Sequence, residues 1–192
     1  MKKFLLLLCA ALTLSGCVQT QFDNLTLGVP GDADIIIDRE GYALGYIERH
    51  EQAAWVIYKL TAAELKNRVV RRGNNFRGDP EVPSGSADLA DYRNSTYDRG
   101  HLAPAADMAW SAKTMSESFF MSNISPQLPS FNRGVWAKLE AQVRSFALAE
   151  KEIYVVTGPI FPQKVIRSIG ENKVTIPTHY YKVIYDLIRF PS

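Results

Sequence analysis

The sequence predicts an α+β fold with a mixed, mainly antiparallel sheet. Several runs of β-branched and aromatic residues are separated by short turns, which is typical of paired strands. One long segment has apolar residues at helical spacing. Strands precede and follow this helix without a regular strand–helix–strand alternation, which argues against a parallel α/β sheet.

The first strands are expected at the start of the folded domain. Residues 35–37 and 42–47 flank a turn-like segment and are predicted to pair, and residues 53–60 are predicted to form a third strand. Thr61 and Glu64 have the Ser/Thr-x-x-Glu spacing of a capping box, in which the two side chains cap the first turn of a helix. We therefore expect a short helix to follow the third strand.

A long loop and a long helix are predicted next. Residues 71–96 are rich in Arg, Gly, Asn, Pro and Ser and indicate a surface loop, whose length in a compact domain suggests function or disorder. After Phe131, apolar residues recur at spacings of three and four, which predicts a helix with one buried stripe. Ser130 or Asn132 is the expected N-cap. The predicted stripe consists of Val135, Trp136, Leu139, Val143, Phe146 and Ala147.

The C-terminal part is predicted to consist mostly of strands. Residues 152–161 and 173–186 have strand composition, with breaks expected at 157–159 and 176–178. The apolar, β-prone run 182–190 reaches almost to the end of the sequence. Because an unpaired hydrophobic edge strand promotes association, we expect the isolated domain to be marginally stable or prone to aggregate.

The N-terminus predicts a lipoprotein signal. Two lysines precede an apolar run that is too short to span a bilayer, which is typical of a secretory signal. The run ends in Leu14-Ser15-Gly16-Cys17, which resembles the bacterial lipobox, and Cys17 is the predicted lipidation site. A plain secretory signal cut nearby is the alternative. Because Val18 and not aspartate follows the cysteine, we expect an outer-membrane anchor facing the periplasm.

These features divide the chain into a signal peptide at 1–16, a polar tether at 17–32 and one folded domain at 33–192. The chain has 22 Lys and Arg against 20 Asp and Glu, and the signal holds two lysines and no acid, so the mature chain has 20 of each. A neutral chain has no global attraction for nucleic acid, and affinity for phosphate must come from a local cluster. Both cysteines, Cys9 and Cys17, lie outside the folded domain, which excludes a disulfide within it.

The most informative motif is Asp98-Arg99-Gly100-His101. It places an imidazole beside a guanidinium and a carboxylate, with a glycine that allows the backbone a sharp turn. A neutral imidazole, whose ordinary pKa is near ~6.5, can take a proton from water. A fixed arginine can hold a phosphate oxygen. Together the two groups suit phosphodiester hydrolysis.

Three motifs in one register resemble the DNA/RNA non-specific endonuclease family, which includes mitochondrial endonuclease G. The motifs are Asp98-Arg99-Gly100-His101-Leu102-Ala103-Pro104, Met121-Ser122-Asn123-Ile124-Ser125-Pro126-Gln127 and Phe131-Asn132 with Trp136-Ala137-Lys138-Leu139-Glu140. The resemblance implies a ββα-metal finger, in which the strand bearing the histidine and the following long helix form the site. It also implies Mg²⁺-dependent hydrolysis of DNA and RNA without strong sequence or sugar specificity, to products with 5′-phosphate ends.

The resemblance assigns a role to each site residue. His101 resembles the general base that activates water, and Asn132 resembles the only direct protein ligand of one Mg²⁺ whose other ligands are mostly water. Glu140 resembles the helix carboxylate that holds one of those waters, and Arg99 and Arg144 resemble cations that contact phosphate. Mg²⁺ accepts oxygen ligands and keeps several waters, so one amide oxygen with a nearby carboxylate suits Mg²⁺, or Mn²⁺.

A dense basic cluster lies in the predicted loop. It consists of Arg71, Arg72 and Arg77. We expect these arginines to contact the substrate, with a solvated loop as the alternative. Some members of the family have an arginine where Asn74 aligns, so one cation is either missing from this chain or supplied by the cluster.

Each assignment has a structural alternative. Asp98 could only orient the turn through bonds to the backbone, and Arg99 could form an ion pair with Glu140. Asn132 could be only a helix cap, and Glu140 could pair with Arg144 on a solvated helix face.

Three further polar residues are expected to be structural. Asn123 should hold a loop through backbone bonds, His50 should lie at the surface and His179 should be half-buried.

The leading hypothesis is a lipid-anchored, Mg²⁺-dependent non-specific endonuclease. A catalytically inactive, nucleic-acid-binding envelope lipoprotein is the alternative, and a phosphodiesterase acting on a smaller ester is a third option. Members of the family usually continue for several dozen residues beyond the strand that resembles 173–186. We therefore expect the core to lack an element and to leave an open sheet edge.

Overall fold

The computed structural model of the chain describes residues 22–164 and 167–187. The predicted signal peptide, Cys17 and residues 188–190 of the last predicted strand lie outside the described residues. The strands are β1 (Ile35–Asp38), β2 (Ala43–Ile47), β3 (Gln52–Thr61), β4 (Asp98–His101), β5 (Ile124–Gln127), β6 (Glu152–Ile160), β7 (Ser168–Ile169), β8 (Val174–Thr175) and β9 (His179–Tyr185). The helices are α1 (Ala62–Lys66), α2 (Leu89–Tyr92), α3 (Ala112–Glu117), α4 (Pro129–Phe131) and α5 (Ala137–Glu150), with a π-helical segment, Asn132–Trp136, joining the last two. Short 3₁₀ helices lie at Asp23–Leu25, Glu48–His50 and Met121–Asn123. Within these residues, no helix combines the length and the apolar character needed to cross a membrane.

A five-stranded antiparallel sheet forms the centre of the fold, with the strand order β1-β2-β3-β6-β9. The pairing of β1 with β2 confirms the predicted hairpin, and β3 confirms the third predicted strand. Alternate residues point to opposite faces of a strand. Val56 and Tyr58 therefore pack into the main core on one face, while Trp55 and Ile57 join a smaller cluster on the other. Helix α5 contributes Val143 to the main core.

A second core surrounds the two-stranded ribbon of β4 and β5. It contains Phe76 from the long loop, Phe119 and Met121 from the segment before β5, and Ile124 from β5 itself. The ribbon is followed directly by the helical segment that α4 and α5 form. This order of two strands and a helix is the ββα arrangement that the resemblance implied, and it confirms the predicted α+β class.

The predicted capping box at the start of α1 is confirmed. The Glu64 N–H donates to Thr61 Oγ1 at 3.1 Å, and the Thr61 N–H donates to Glu64 Oε2 at 2.9 Å. Both bonds are local in sequence, which is why four residues suffice to predict them.

The segment 71–96 is not a simple surface loop, contrary to the prediction. It contains α2, whose first turn is capped by Asp88, and it buries Phe76, Val82 and Tyr92. These apolar residues are too sparse to form a periodic pattern in the sequence. Each of them nevertheless packs into one of the two cores, which anchors the segment across the domain.

The predicted break at 157–159 is wrong, because β6 continues through it. Strand β6 pairs with β3 only as far as Thr157, so Pro159 lies beyond that pairing, where a missing N–H costs no ladder bond to β3. Gly158 is required by packing, since a Cβ atom there would overlap the carbonyl oxygen of Ala54. The break predicted at 176–178 is confirmed by the gap between β8 and β9.

Only half of the predicted helical stripe is buried. Trp136, Val143 and Ala147 face the interior, as predicted. The exposed half consists of Val135, Leu139 and Phe146. The inward-facing side of α5 instead includes Glu140, which is partly buried. A search for periodic apolar residues does not find a buried carboxylate. The predicted stripe is therefore rotated about the helix axis relative to the face that is buried in the structure.

The last described strand has a partner. Strand β9 pairs with β6 from Tyr154 opposite Tyr185 to Ile160 opposite His179. It is the final strand in the sheet order, and Val183 on it is 53% exposed. The expected marginal stability of the domain stays a prediction.

Candidate active site

The β4–β5 ribbon carries the predicted general base. Arg99 pairs with Pro126 and His101 with Ile124 in antiparallel register. Because alternate residues of a strand share a face, the side chains of Arg99 and His101 lie on the same side of the ribbon. Both contact Phe76: the Arg99 Cζ atom lies 4.2 Å, and the His101 ring centroid 5.5 Å, from the centroid of its ring.

Gly100 is required by packing and not by a turn. The sharp turn that a glycine would allow does not form here, because Gly100 lies inside β4 and is not among the residues with positive φ. A Cβ atom at this position would overlap the fully buried side chain of Gln127. Gly100 points away from His101, so this contact closes the opposite face of the ribbon.

One nitrogen of His101 is free to accept a proton. The residue is 8% exposed, and its ring packs edge-on against Phe119 at a centroid distance of 5.0 Å. No group in residues 22–164 or 167–187 hydrogen-bonds to its Nε2 atom. The ring does bond to the backbone of Arg99, in a way that favours the protonated imidazole, so the ring is the donor. That bond therefore belongs to Nδ1, and Nε2 keeps its lone pair.

Burial and two cations keep this imidazole uncharged. Burial, followed by the charges of Arg72 and Arg99, lowers the pKa of His101 to about 3. At neutral pH the ring is therefore a proton acceptor. A phosphate bound to the two arginines would offset their charge and raise this pKa toward the range in which a general base is most effective.

Asp98 orients the predicted metal ligand. Its Oδ2 accepts from Asn132 Nδ2 at 2.9 Å and from Arg133 Nε at 2.8 Å, and its Oδ1 accepts from Arg133 Nη2 at 2.6 Å. Since a carboxylate only accepts, the Asn132 amide nitrogen must face it, and Oδ1 is the amide atom available to a cation. The bonds from Arg133 and then Asn132 hold the pKa of Asp98 below its usual range. These side-chain bonds replace the bonds to the turn that the structural alternative assumed.

Asn132 lies inside the helical segment and not at its start. The helix begins at Pro129, whose missing N–H suits the first helical position. Capping by Ser130 or Asn132 is therefore a wrong prediction, and the Asn132 side chain instead binds Asp98. The π-helical segment also contains Gly134 with the non-helical angles φ −103° and ψ −109°. Such wide turns often mark functional sites.

Glu140 is a half-buried carboxylate on α5. Burial raises its pKa to about 7, and the charge of Lys182 opposes that rise. The Lys182 Nζ atom lies 5.0 Å from the centre of the Trp136 ring and has no hydrogen-bond partner in the described part of the chain. Burial lowers the pKa of Lys182. Lys182 lies on β9, far from Glu140 in sequence, so nothing in the sequence associated the two.

Arg144 binds a carboxylate that the sequence analysis missed. Its Nη1 donates to Asp107 Oδ1 at 3.0 Å, and the Tyr58 hydroxyl donates to Asp107 Oδ2 at 3.0 Å. The pair of Arg144 with Glu140, which was the structural alternative, is replaced by this one. Because Asp107 is buried and lies outside the helix, the four-residue spacing on α5 could not identify it.

The predicted loop arginines occupy different environments. The Arg72 Cζ atom lies 5.2 Å from the centre of the Phe119 ring, the ring against which His101 packs. Arg77 lies over Phe120 at 3.9 Å, and its guanidinium donates to backbone carbonyls. Arg71 is exposed. The structure thus brings Arg72 to the histidine and holds Arg77 in a structural position.

An open cavity of 540 Å³ lies beside the ribbon. Its lining includes Asn132, Asp98 and four arginines. The arginines are Arg72, Arg93, Arg99 and Arg133. This is the kind of local basic cluster that the sequence analysis expected for binding a polyanion. Arg133 directly follows Asn132 of the third motif, and this position could have identified it from the sequence. Nothing in the sequence distinguished Arg93.

The residues of the site fit a hard divalent cation. Asn132 Oδ1 and the Glu140 carboxylate are oxygen donors of the kind that Mg²⁺ and Mn²⁺ prefer. A cation near Glu140 would offset the burial that raises its pKa. The described residues contain no group of three or more His, Cys, Asp or Glu that could enclose a metal. With Asn132 and Glu140 as its oxygen donors, an octahedral ion at this site would take water at its other positions.

The chain is similar to known proteins in sequence and in fold. The profile of the family described as DNA/RNA non-specific endonuclease matches residues 20–189. The chain is 41% identical over 172 residues to nuclease C1 of Cunninghamella echinulata var. echinulata, covering 83% of this chain and 68% of that protein. It is 40% identical over 167 residues to mitochondrial endonuclease G of Homo sapiens, covering 82% of this chain and 56% of that protein.

One solved structure is similar to this chain in both fold and sequence. A chain in the crystal structure of the EndoG/EndoGI complex is similar with a TM-score of 0.77 and 36% identity, covering 84% of this chain and 71% of that chain. The chain spans only 56% of endonuclease G and 68% of nuclease C1. The family profile nevertheless spans the ribbon, the long helix and every described site residue, and this chain belongs to the DNA/RNA non-specific endonuclease family.

Proposed function

We propose that the chain is a Mg²⁺-dependent endonuclease that hydrolyses phosphodiester bonds in DNA and RNA, without strong sequence or sugar preference, to 5′-phosphate ends. The members of its family are metal-dependent nucleases, which supports this proposal, and Mn²⁺ is the alternative ion. The observation that carries the proposal is the lone pair of His101 Nε2, buried between two aromatic rings beside an arginine-lined cavity.

The described side chains divide the reaction between them. Arg72 and Arg99 bind non-bridging oxygens of the phosphate. This assignment rests on two observations: both line the cavity, and the charges of both lower the pKa of His101. His101 Nε2 takes a proton from water as the water oxygen attacks phosphorus. The bond from phosphorus to the 3′ oxygen breaks, which leaves a 5′-phosphate on one product, and the departing 3′ oxygen takes a proton from solvent to give a 3′-hydroxyl on the other. The Nδ1 bond to the Arg99 backbone holds the ring and stabilises its protonated form.

Asn132 and Glu140 are the residues that would hold the metal. When bound, Mg²⁺ stabilises the charge that builds up on phosphorus and on the leaving oxygen. Asp98 fixes the direction of the Asn132 amide. Arg133 fixes Asp98 in turn through two hydrogen bonds, so the orientation does not depend on a single contact.

One assay tests the proposal. Purified protein is incubated with supercoiled plasmid and with RNA, in Mg²⁺ and in EDTA, and the product ends are mapped. We expect cleavage of both polymers in Mg²⁺, none in EDTA and 5′-phosphate termini. Binding without cleavage would instead support the inactive nucleic-acid-binding lipoprotein. Cleavage of small diesters alone would support a phosphodiesterase of narrower scope.

A lipid anchor is the second part of the proposal. The sequence Leu14-Ser15-Gly16-Cys17 supports acylation of Cys17 and a location on the periplasmic face of the outer membrane. Two or more acyl chains suffice for stable anchoring. Cys17→Ser should therefore release the protein from membranes or leave it unprocessed. Wild-type protein that fractionates as soluble and takes up no lipid label would contradict the anchor.

A further inference from the structure

A second cavity, of 420 Å³, lies next to the site. Its walls are mainly apolar and include three aromatic rings, those of Tyr97, Phe131 and Tyr180. Concave, mostly apolar cavities of this size with a few polar groups are where proteins bind small planar ligands. Nothing in the proposed hydrolytic mechanism uses these rings.

Two of the rings are held in fixed positions. Phe131 and Tyr180 are nearly parallel, with centroids 5.4 Å apart and planes inclined by 24°. The Tyr180 hydroxyl donates to the Pro126 carbonyl at 2.7 Å and lies 2.8 Å from Ser125 Oγ. The Trp136 ring packs against both, with centroid distances of 5.2 and 5.8 Å. A ligand that stacks here would not have to order these side chains.

The cavity adjoins the catalytic one. Tyr97 lines both cavities and is therefore their shared wall. It directly precedes Asp98, and Phe131 directly precedes Asn132, so each of two site residues has a neighbour in the second cavity. A polymer whose phosphate lies at the site therefore has its next nucleotide within reach of these rings.

The polar part of the lining suits an anionic polymer. Arg167 and His179 line the cavity and are exposed to solvent. A guanidinium and an imidazole beside apolar walls provide a place for a phosphate next to a place for a base. An apolar protein segment would not need either group.

We infer that this second cavity is a subsite for one unstacked nucleobase of the substrate strand, adjacent to the phosphodiester that is cleaved. The inference rests on the proposed function. It specifies how the protein holds the base beside the cleaved bond, which the proposed function leaves undefined. A base in a duplex is stacked on both sides and must leave the helix to enter such a cavity. Single-stranded DNA and RNA therefore bind more tightly than a duplex of the same sequence.

The test measures binding without hydrolysis. A labelled, short thymidine oligonucleotide and an abasic oligonucleotide of the same length are titrated in EDTA, with fluorescence anisotropy as the readout. Wild type should bind the thymidine probe more tightly. Phe131→Leu, which keeps an apolar side chain but removes the ring, should weaken the thymidine probe by roughly 5- to 100-fold, the usual range for loss of one base–aromatic stack. The abasic probe should bind as it does to wild type.

Two further variants keep the result interpretable. Phe146→Leu is the matched control, because Phe146 is 43% exposed on α5 and lines neither cavity; both probes should bind it as they bind wild type. Leu128→Ala removes a rim side chain that is 55% exposed, so it should not affect folding. It should show the same selective loss in smaller measure, and it replaces Phe131→Leu if that variant misfolds.

Equal binding of the two probes to wild type would overturn the inference and assign the cavity to another ligand, such as a protein segment. An equal loss for both probes in the variants would also overturn it. Plasmid hydrolysis in Mg²⁺, measured in parallel, reports on the proposed function alone. If the protein cleaves plasmid but binds the two probes equally, only the subsite is refuted. If it prefers the thymidine probe but does not cleave plasmid, only the proposed activity is refuted.

Discussion

Two buried histidines show how the supporting part of the fold differs from the proposed catalytic part. His50 is 3% exposed: its Nδ1 lies 3.0 Å from Thr175 Oγ1, its Nε2 accepts from Arg49 Nε at 3.2 Å, and its ring stacks on Phe161 at 3.8 Å. His101 is nearly as buried, but its Nε2 has no partner in the described residues. Burial lowers the pKa of both.

The difference indicates where the protein tolerates a cost in stability. A buried nitrogen without a hydrogen bond costs roughly 1–3 kcal/mol. Around His50 the fold avoids this cost with one partner for each nitrogen. Around His101 it does not, and the free lone pair is what a general base requires. Burial alone thus does not separate the two histidines, whereas the partners of their ring nitrogens do.

The largest expected effect is the loss of the base. His101→Ala should reduce hydrolysis of plasmid about 10²–10⁴-fold, the usual contribution of general-base catalysis. The variant should still fold, although it loses the packing of the ring against Phe76 and Phe119 and with it some stability. Initial rates in Mg²⁺, with circular dichroism as the folding control, test this. Turnover close to that of wild type would show that water is activated elsewhere.

A smaller effect is expected from the residue that orients the metal ligand. Asp98→Ala should weaken Mn²⁺ binding about 10- to 100-fold, the usual effect of removing a partner of a ligand. Calorimetric titration of Mn²⁺ measures this without substrate. Arg133→Gln is the matched control, since it leaves the Asp98–Asn132 bond in place and should cost less. Unchanged Mn²⁺ affinity in Asp98→Ala would remove Asn132 from the metal site.

The structural histidine should affect stability and not chemistry. His50→Leu leaves Thr175 and Arg49 without their partner and should lower the free energy of unfolding by about 1–3 kcal/mol. The rate per folded molecule should stay within about twofold of wild type. Urea denaturation and plasmid cleavage on the same preparation measure both quantities. A large loss of rate in the folded variant would erase the proposed distinction between the two histidines.

An effect of comparable size is expected in the pH dependence of stability. In the folded protein the pKa of His101 is lowered to about 3, so between its ordinary pKa and this value only the unfolded chain binds the proton. Wild type should therefore lose stability relative to His101→Gln as pH falls, by about 2 kcal/mol from pH 7 to pH 5. The pKa of Glu140, raised to about 7, acts in the opposite direction, so the difference between the two proteins must be measured. Parallel stability curves would contradict the burial of a neutral His101.

The parts of the fold that the sequence predicted correctly depend on neighbours in the chain. The β1–β2 hairpin and the Thr61–Glu64 capping box are local, and both formed as expected. Asn123 also does what was expected, because its side chain bonds to the Ala103 backbone on the turn after His101.

The predictions that failed depend on distant residues. His50 was expected at the surface and His179 half-buried, whereas His50 is buried and His179 is exposed. The burial of His50 depends on Thr175 and Phe161, more than a hundred residues away in the chain. Lys182 and its approach to the Glu140 region depend on the register of β9 against β6, which no motif encodes.

The most direct test of the central claim is a nitrogen-15 NMR titration of the histidine side chains in EDTA. His101 is assigned from the signal that His101→Gln lacks, and His50 from the signal that His50→Leu lacks. We expect the Nε2 of His101 to show the shift of an unprotonated nitrogen at pH 7 and to remain unprotonated at pH 5. A His101 that carries its proton on Nε2 at pH 7, or that gains a second proton near its ordinary pKa, would contradict the account.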